Sequence, residues 1–110
     1  MSSEFHDYII HDILGHIPNI TSRKMFGGYG IYHEGVIFAI IAENELYFKV
    51  GDHNRIDYEK RGSEPFTYVA HKNRKPTVMS YWKVPEEIMD DQESIEDWVF
   101  EAKKAHKDIY

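Results

Sequence analysis

Seven histidines in 110 residues raise the question of a metal centre first. His6, His11 and His16 recur every five residues, about 140° per step on a helix, so they diverge around its surface. Two ligands on one helical face need i, i+4 spacing. His33, His53, His71 and His106 fall in separate segments, and no His-Glu-x-x-His run is present. A composite site assembled by folding stays open, but solvated or packing histidines are the expectation. The sequence calls for no metal and no cofactor.

Nucleophilic chemistry has equally little to stand on. Ser22, Ser63, Ser80 and Ser94 lie outside any Gly-x-Ser-x-Gly context. There is no cysteine, which removes thiolate catalysis, thiolate metal ligands and disulfides together. The carboxylate pairs Glu86-Glu87 and Asp90-Asp91 follow Pro85 and read as charge at a helix N-terminus, where the macrodipole favours it. These groups predict a non-enzymatic protein.

Residues 23–32 (Arg-Lys-Met-Phe-Gly-Gly-Tyr-Gly-Ile-Tyr) place Gly27, Gly28 and Gly30 among aromatic and apolar neighbours. A phosphate cradle would end in Gly-Lys-Ser/Thr and open a helix. This stretch does neither. It reads as a strand whose backbone bends or is closely approached, through a bulge or tight helix-to-strand packing. Arg23, charged beside an apolar run, is expected either to pair with a buried carboxylate or to bind an anion.

Aromatics carry the clearest binding signal. Phe26, Tyr29, Tyr32, Tyr47, Phe48, Phe66, Tyr68, Tyr81 and Trp82 all fall on expected strands, so alternation turns some of them away from any covering helices. Three uses compete: cross-strand pairing, a protein interface, and stacking of single-stranded bases. Arg23, Lys24, Lys72, Arg74 and Lys75 would assist the last. The contacts named for a partner or an anion are Arg23, Lys24, Tyr29, Tyr32, Arg74, Lys75 and Tyr81. A protein partner is favoured over nucleic acid, with a homodimer through a sheet face or edge as one form of it.

The elements that position these residues follow from period and punctuation. Ile9, Ile10, Ile13, Leu14 and Ile17 share a helical arc over residues 4–17, with Ser2 or Ser3 as cap and Pro18 as stop. Strands are expected over 24–33, 36–43 and 45–50, joined by tight turns at Glu34-Gly35 and Asn44. Asp52 is the expected cap of a short helix that ends near Arg61, with Gly62 just beyond it. Pro65 restarts the chain as a strand over 66–70. The turn 71–76 leads to a strand over 78–84 that contains Trp82 and stops at Pro85. Ser94 and Asp97 would cap a last helix whose inner stripe is Ile95, Trp98, Val99, Ala102 and Ala105, with Phe100 pointing away. The order is α-β-β-β-α-β-β-α, an α+β two-layer sandwich of one antiparallel sheet with helices on one face.

Totals set the bounds. The length fits one domain. Apolar residues at 42% allow a core, and a net charge of −6 is the wrong sign for general phosphate neutralisation. Neither a signal peptide nor an apolar run near the ~20 residues of a membrane span is visible, so a cytoplasmic location is expected.

Four pieces in order resemble the N-terminal domain of the TfoX/Sxy family of bacterial competence regulators, in a stand-alone short form: Arg23 to Gly30, Leu46 to Lys49, Gly62 to Tyr68, and Met79 to Pro85. The resemblance spans about residues 5 to 105 and implies a single domain of that type over 1–110, with a fold like that of secretion chaperones. It implies a structural role for Gly27, Gly28, Gly30, Gly62, Pro65, Trp82 and Pro85, and it brings no catalytic residues. Longer members act as transcriptional coactivators of DNA-uptake genes together with a cyclic-AMP receptor protein. They carry a second, C-terminal domain that this sequence does not show. The resemblance thus points to a regulatory, protein-interaction role, with a nucleic-acid-binding accessory as the alternative and an uncharacterised enzyme or metal-binding protein after it.

Overall fold

The computed structural model describes residues 3–25, 27–69 and 76–108. Phe26, residues 70–75 (hence Lys72, Arg74 and Lys75 of the expected turn) and Ser2 of the expected cap lie outside them.

Six strands form one antiparallel sheet: β1 Ile20–Met25, β2 Gly28–His33, β3 Val36–Ala42, β4 Glu45–Lys49, β5 Pro65–Val69 and β6 Pro76–Lys83, in the order β1-β2-β3-β4-β6-β5. The expected α+β order is present, with one refinement. The strand expected over 24–33 is two strands folded back on each other around Gly27 (φ +79°), Met25 facing Gly28 across the turn. Arg23 to Tyr32 therefore forms a hairpin, because only a residue free to take positive φ lets so apolar a run reverse. The turns at Glu34-Gly35 and Glu43-Asn44 have positive φ throughout, the geometry that matches the twist of the strands they join.

The helices differ more from expectation. α1 (Ser3–Asp7) continues as a π-helical stretch, Tyr8–Ile13, closed by Leu14 N–H donating to the Ile9 carbonyl at 2.9 Å. Helical structure thus ends four residues short of Ile17, yet Ile9, Ile13, Leu14 and Ile17 are all buried. α2 is Arg55–Glu59, and Asp52 does not cap it. Residues 51–54 form a turn first, and Asp52 pairs instead with Arg55 at 3.1 Å. Gly62 (φ +73°) ends the turn that follows. β6 ends at Lys83, and Pro85, in extended conformation, leads into a short α3, Glu86–Met89. α4 spans Gln92–Asp108, so Ser94 lies inside it, not at its cap. The Ser94 hydroxyl donates to the Asp91 carboxylate at 2.5 Å, and Asp91 takes the cap position. Asp97 is then too far inside to complete a capping box.

One face of the sheet carries the core. Ile31, Ala39 and Phe48 are aligned cross-strand and buried, and α4 covers them from β3 and β4 with Ile95, Val99 and Ala102. A bulge enlarges this core. Ile31 faces Ala39 while Tyr32 faces Ile37, which leaves Phe38 as an extra residue in β3. Phe38 and Ala39, adjacent in sequence, both reach 0% exposure.

Tyr58 is wedged beneath α4, edge-on to Trp98 at 4.5 Å and tilted against Trp82 at 6.2 Å. Its hydroxyl is buried with no hydrogen-bond partner among the described residues. Burial pushes the phenol well above the ordinary tyrosine pKa, with the Asp57 carboxylate adding to the effect. Tyr58→Phe should therefore stabilise the fold by about 1 kcal/mol at neutral pH, read by urea unfolding. The folded state holds this phenol protonated, so the wild type loses stability as pH rises past the unfolded value of about 10. The variant lacks that slope, and the gap between the two should widen there. No helix among the described residues is long and apolar enough to cross a membrane.

Candidate functional site

The sheet face away from the helices is curled into a groove. Alternation sends Arg23, Met25 and Tyr32 to this side from the first hairpin, Ile37 and Ile40 from β3, Tyr47 and Lys49 from β4, and Tyr81 and Lys83 from β6. In β6 a second irregularity adds bend. Pro65 faces Trp82 and Thr67 faces Val78, so three β6 residues lie opposite Phe66 alone. Coiling of this kind lets both edge strands line one concavity of about 480 Å³, β1 through Met25 and β5 through Phe66 and Tyr68. Ile40, Ala42, Met79 and Tyr81 complete its floor. Tyr81 is only 7% exposed although it lies on the face away from the described helices.

The glycines make the groove possible, by a route other than the helix-to-strand packing expected. A Cβ on Gly28 would run into the backbone carbonyl oxygen of Ile41 on β3. One on Gly30 would lie 2.7 Å from the Met25 sulfur and 3.2 Å from Ile37 Cδ1. The close approaches are from a neighbouring strand and from side chains of the groove face.

Electrostatics on this face are uneven. Lys83 and Glu45 form a 2.7 Å ion pair, which raises the lysine pKa through that hydrogen bond. Tyr47 beside them is raised by burial first and by Glu45 and Glu43 next, and its ring meets Phe66 at 5.0 Å. Lys49 differs: its ammonium lies 4.7 Å from the centre of the Tyr81 ring, and burial lowers its pKa. The Arg23 guanidinium is 5.9 Å from the Tyr32 ring centre. The buried polar residues described are His33 and Asn54, so the carboxylate version of the Arg23 expectation finds no partner among the described residues.

Of the residues singled out in sequence, Arg23, Tyr32 and Tyr81 share the groove face. Lys24 pairs across the strands with Tyr29, and Tyr29 borders the groove but turns its ring onto His6, stacked at 4.1 Å. Arg74 and Lys75 lie outside the described residues. Sequence reasoning missed Lys49, although the signal was there: Leu46, Phe48 and Val50 alternate with Tyr47 and Lys49, which places Lys49 opposite the core. Asn54 was missed as well. Its side-chain oxygen accepts from Gly51 N–H at 2.8 Å and its amide donates to the Lys49 carbonyl at 3.4 Å, fixing the backbone where that lysine leaves β4.

Two further clusters tie elements together. Asp7, His6 and Ser22 are linked in series, with His6 Nδ1 3.1 Å from Asp7 and Nε2 2.7 Å from the Ser22 hydroxyl. The order is that of a nucleophilic relay, but the Asp7 side chain is 63% exposed and solvent screens it. We read it as a tether from α1 to the edge strand. At the other end, the Lys103 ammonium donates to His33 Nδ1 at 2.7 Å and lies 3.6 Å from Glu34, joining α4 to the β2–β3 turn. No group of three or more potential metal ligands gathers among the described residues.

Comparison with known proteins supplies relatives by sequence. The TfoX N-terminal domain matches residues 12–106. The DNA transformation protein TfoX1 of Aliivibrio fischeri is 30% identical over 70 residues, 64% of this chain and 32% of that protein. The DNA transformation protein TfoX of Haemophilus influenzae is 30% identical over 74 residues, 66% of this chain and 34% of that protein. The chain thus spans about a third of the length of these curated relatives. With most of its length inside the match, the chain belongs to the TfoX N-terminal domain family.

Proposed function

We propose that the chain is a non-enzymatic regulatory domain that presents its helix-free face to a protein partner. One observation carries this reading. The four sequence pieces that bear the family resemblance, far apart in the chain, converge on that face, contributing Met25 and Gly28, Lys49, Phe66 and Tyr68, and Met79 and Tyr81. A scaffold alone has no need to gather aromatic and sulfur-bearing side chains on its uncovered side, whereas Tyr and Met are enriched at protein interfaces. The regulatory part, related to competence, is carried over from relatives that are DNA transformation proteins.

Photo-crosslinking in cells tests it. A benzoylphenylalanine at Tyr68, which lines the groove at 54% exposure, should give an adduct of one discrete mass. The same group at Phe100, 45% exposed on α4, should not. An adduct of twice the chain's mass would make the partner a second copy. Equal labelling at both positions, or none at position 68, would count against the reading.

A further inference from the structure

We propose that the groove is an effector pocket for a small amphiphilic anion, its apolar chain or ring lying against Met25, Ile40, Phe66 and Met79 and its carboxylate paired with Lys49. The inference rests on the reading of this face as the working surface and adds what regulates it, since an occupied groove offers a partner a different surface.

Capacity comes first. About 480 Å³ falls inside the roughly 300–1,000 Å³ usual for small-molecule sites, which are mainly apolar with a few placed polar groups.

The charge comes from an accounting of cations. Acidic residues outnumber basic ones nineteen to thirteen, so carboxylates are in surplus. Arg55, Arg61, Lys83, Lys103 and Lys104 each have one within 4 Å. Lys24, Lys60, Lys49 and Arg23 have none among the described residues; of these four, Lys49 and Arg23 lie on the groove face, each beside an aromatic ring. A ring face steadies a cation without neutralising it, so the charge stays available to an incoming anion. The partial burial of Lys49 makes its charged form less favourable than in water, and a carboxylate arriving beside it would restore what burial removes. The Asn54 amide, bonded to the Lys49 carbonyl, already holds the backbone there. A bulky acidic macromolecule would be opposed by the net charge of −6, whereas a single small anion meets little of that repulsion.

Methionine methyl NMR reads the pocket directly. Met25 and Met79 line the groove, while Met89 packs on the helix side and serves as internal control. Decanoate and naphthoate supply the chain and ring forms of the anion, and decanol and decyltrimethylammonium the neutral and cationic heads, all below micellar concentrations. At least one of the two anions should shift Met25 and Met79 saturably and leave Met89 in place. Decanol should bind about tenfold or more weakly than decanoate, the value of a hydrogen bond to a charged group. Lys49→Met should reduce anion binding to the level of decanol, and Lys49→Arg should restore it. If Lys49→Met does not fold, Lys49→Gln is measured instead and should weaken the anion selectively. Equal binding of decanol and decanoate, equal movement of Met89, or no shift with either anion would overturn the proposal. The crosslink at Tyr68 is recorded without any amphiphile, so failure of one result is visible separately from failure of the other.

Discussion

Gly28→Ala is expected to destabilise the fold by about 3 kcal/mol or more, the upper range for forcing atoms into a packed site. The obstacle is the backbone carbonyl of Ile41, which has no rotamer to move into. Relief requires β2 to separate from β3 at a point where Tyr29 and Ile41 are paired, so ladder hydrogen bonds are lost along with packing. Gly30→Ala, two residues on, is the contrasting case. Its Cβ meets the Met25 sulfur at the end of a flexible side chain, and that side chain can swing aside. We expect roughly 1 kcal/mol from it, at the lower end for overpacking. Urea unfolding of the two variants should separate them by at least a factor of two. Similar losses would mean that the strands approach each other less closely than described.

Phe38→Ala is expected to remove about 3–5 kcal/mol, as truncation of a buried aromatic does. Its ring is completely buried and lies edge-on to Phe48 at 5.5 Å. Against a total stability of roughly 5–15 kcal/mol for a domain, the variant would be marginal. A double-mutant cycle with Phe48→Ala should show a coupling of about 0.5–1.5 kcal/mol, the contribution of the aromatic pair beyond area. A loss below about 2 kcal/mol would imply that the bulge relaxes and that Ile37 or Ile40 refills the space.

The same two positions show how much of this protein is legible in its residues. Alternation and turn chemistry located β3, β4 and their hairpin turns, because those signals are local and each turn has residues that tolerate positive φ. The glycine run announced a close approach, but its cause, the Ile41 carbonyl, lies on another strand and leaves no mark nearby. Phe38 is harder still. Val36 to Ala42 is apolar throughout, so nothing in it distinguishes a regular strand from one carrying an extra inward residue.

Caps failed for a related reason. Asp52 and Ser94 have the right chemistry, yet Asn54 holds the position before α2, Asp91 the position before α4, and Asp52 and Ser94 bond to Arg55 and Asp91 instead. The groove was half visible. An uncovered aromatic face follows from alternation and points to Tyr32 and Tyr81, while Arg23 stands out as a charge beside an apolar run. That Met25 and Tyr68, from the two edge strands, line one concavity depends on how far the sheet coils, which is a property of the whole sheet and not of any one segment. Lys49 gains its interest only once its neighbour proves to be Tyr81 and not a carboxylate.

The two methionines of the groove give the protein an unannounced sensitivity. With no cysteine anywhere in the chain, thioethers are its most readily oxidised side chains, and Met25 and Met79 are accessible where the core is not. Conversion to sulfoxide would turn two apolar walls of the groove into polar, chiral ones. A sample aged in air would then lose the apolar character of its groove. Freshness of the protein, and the presence of a sulfoxide reductase in the cell, would decide which surface a partner meets.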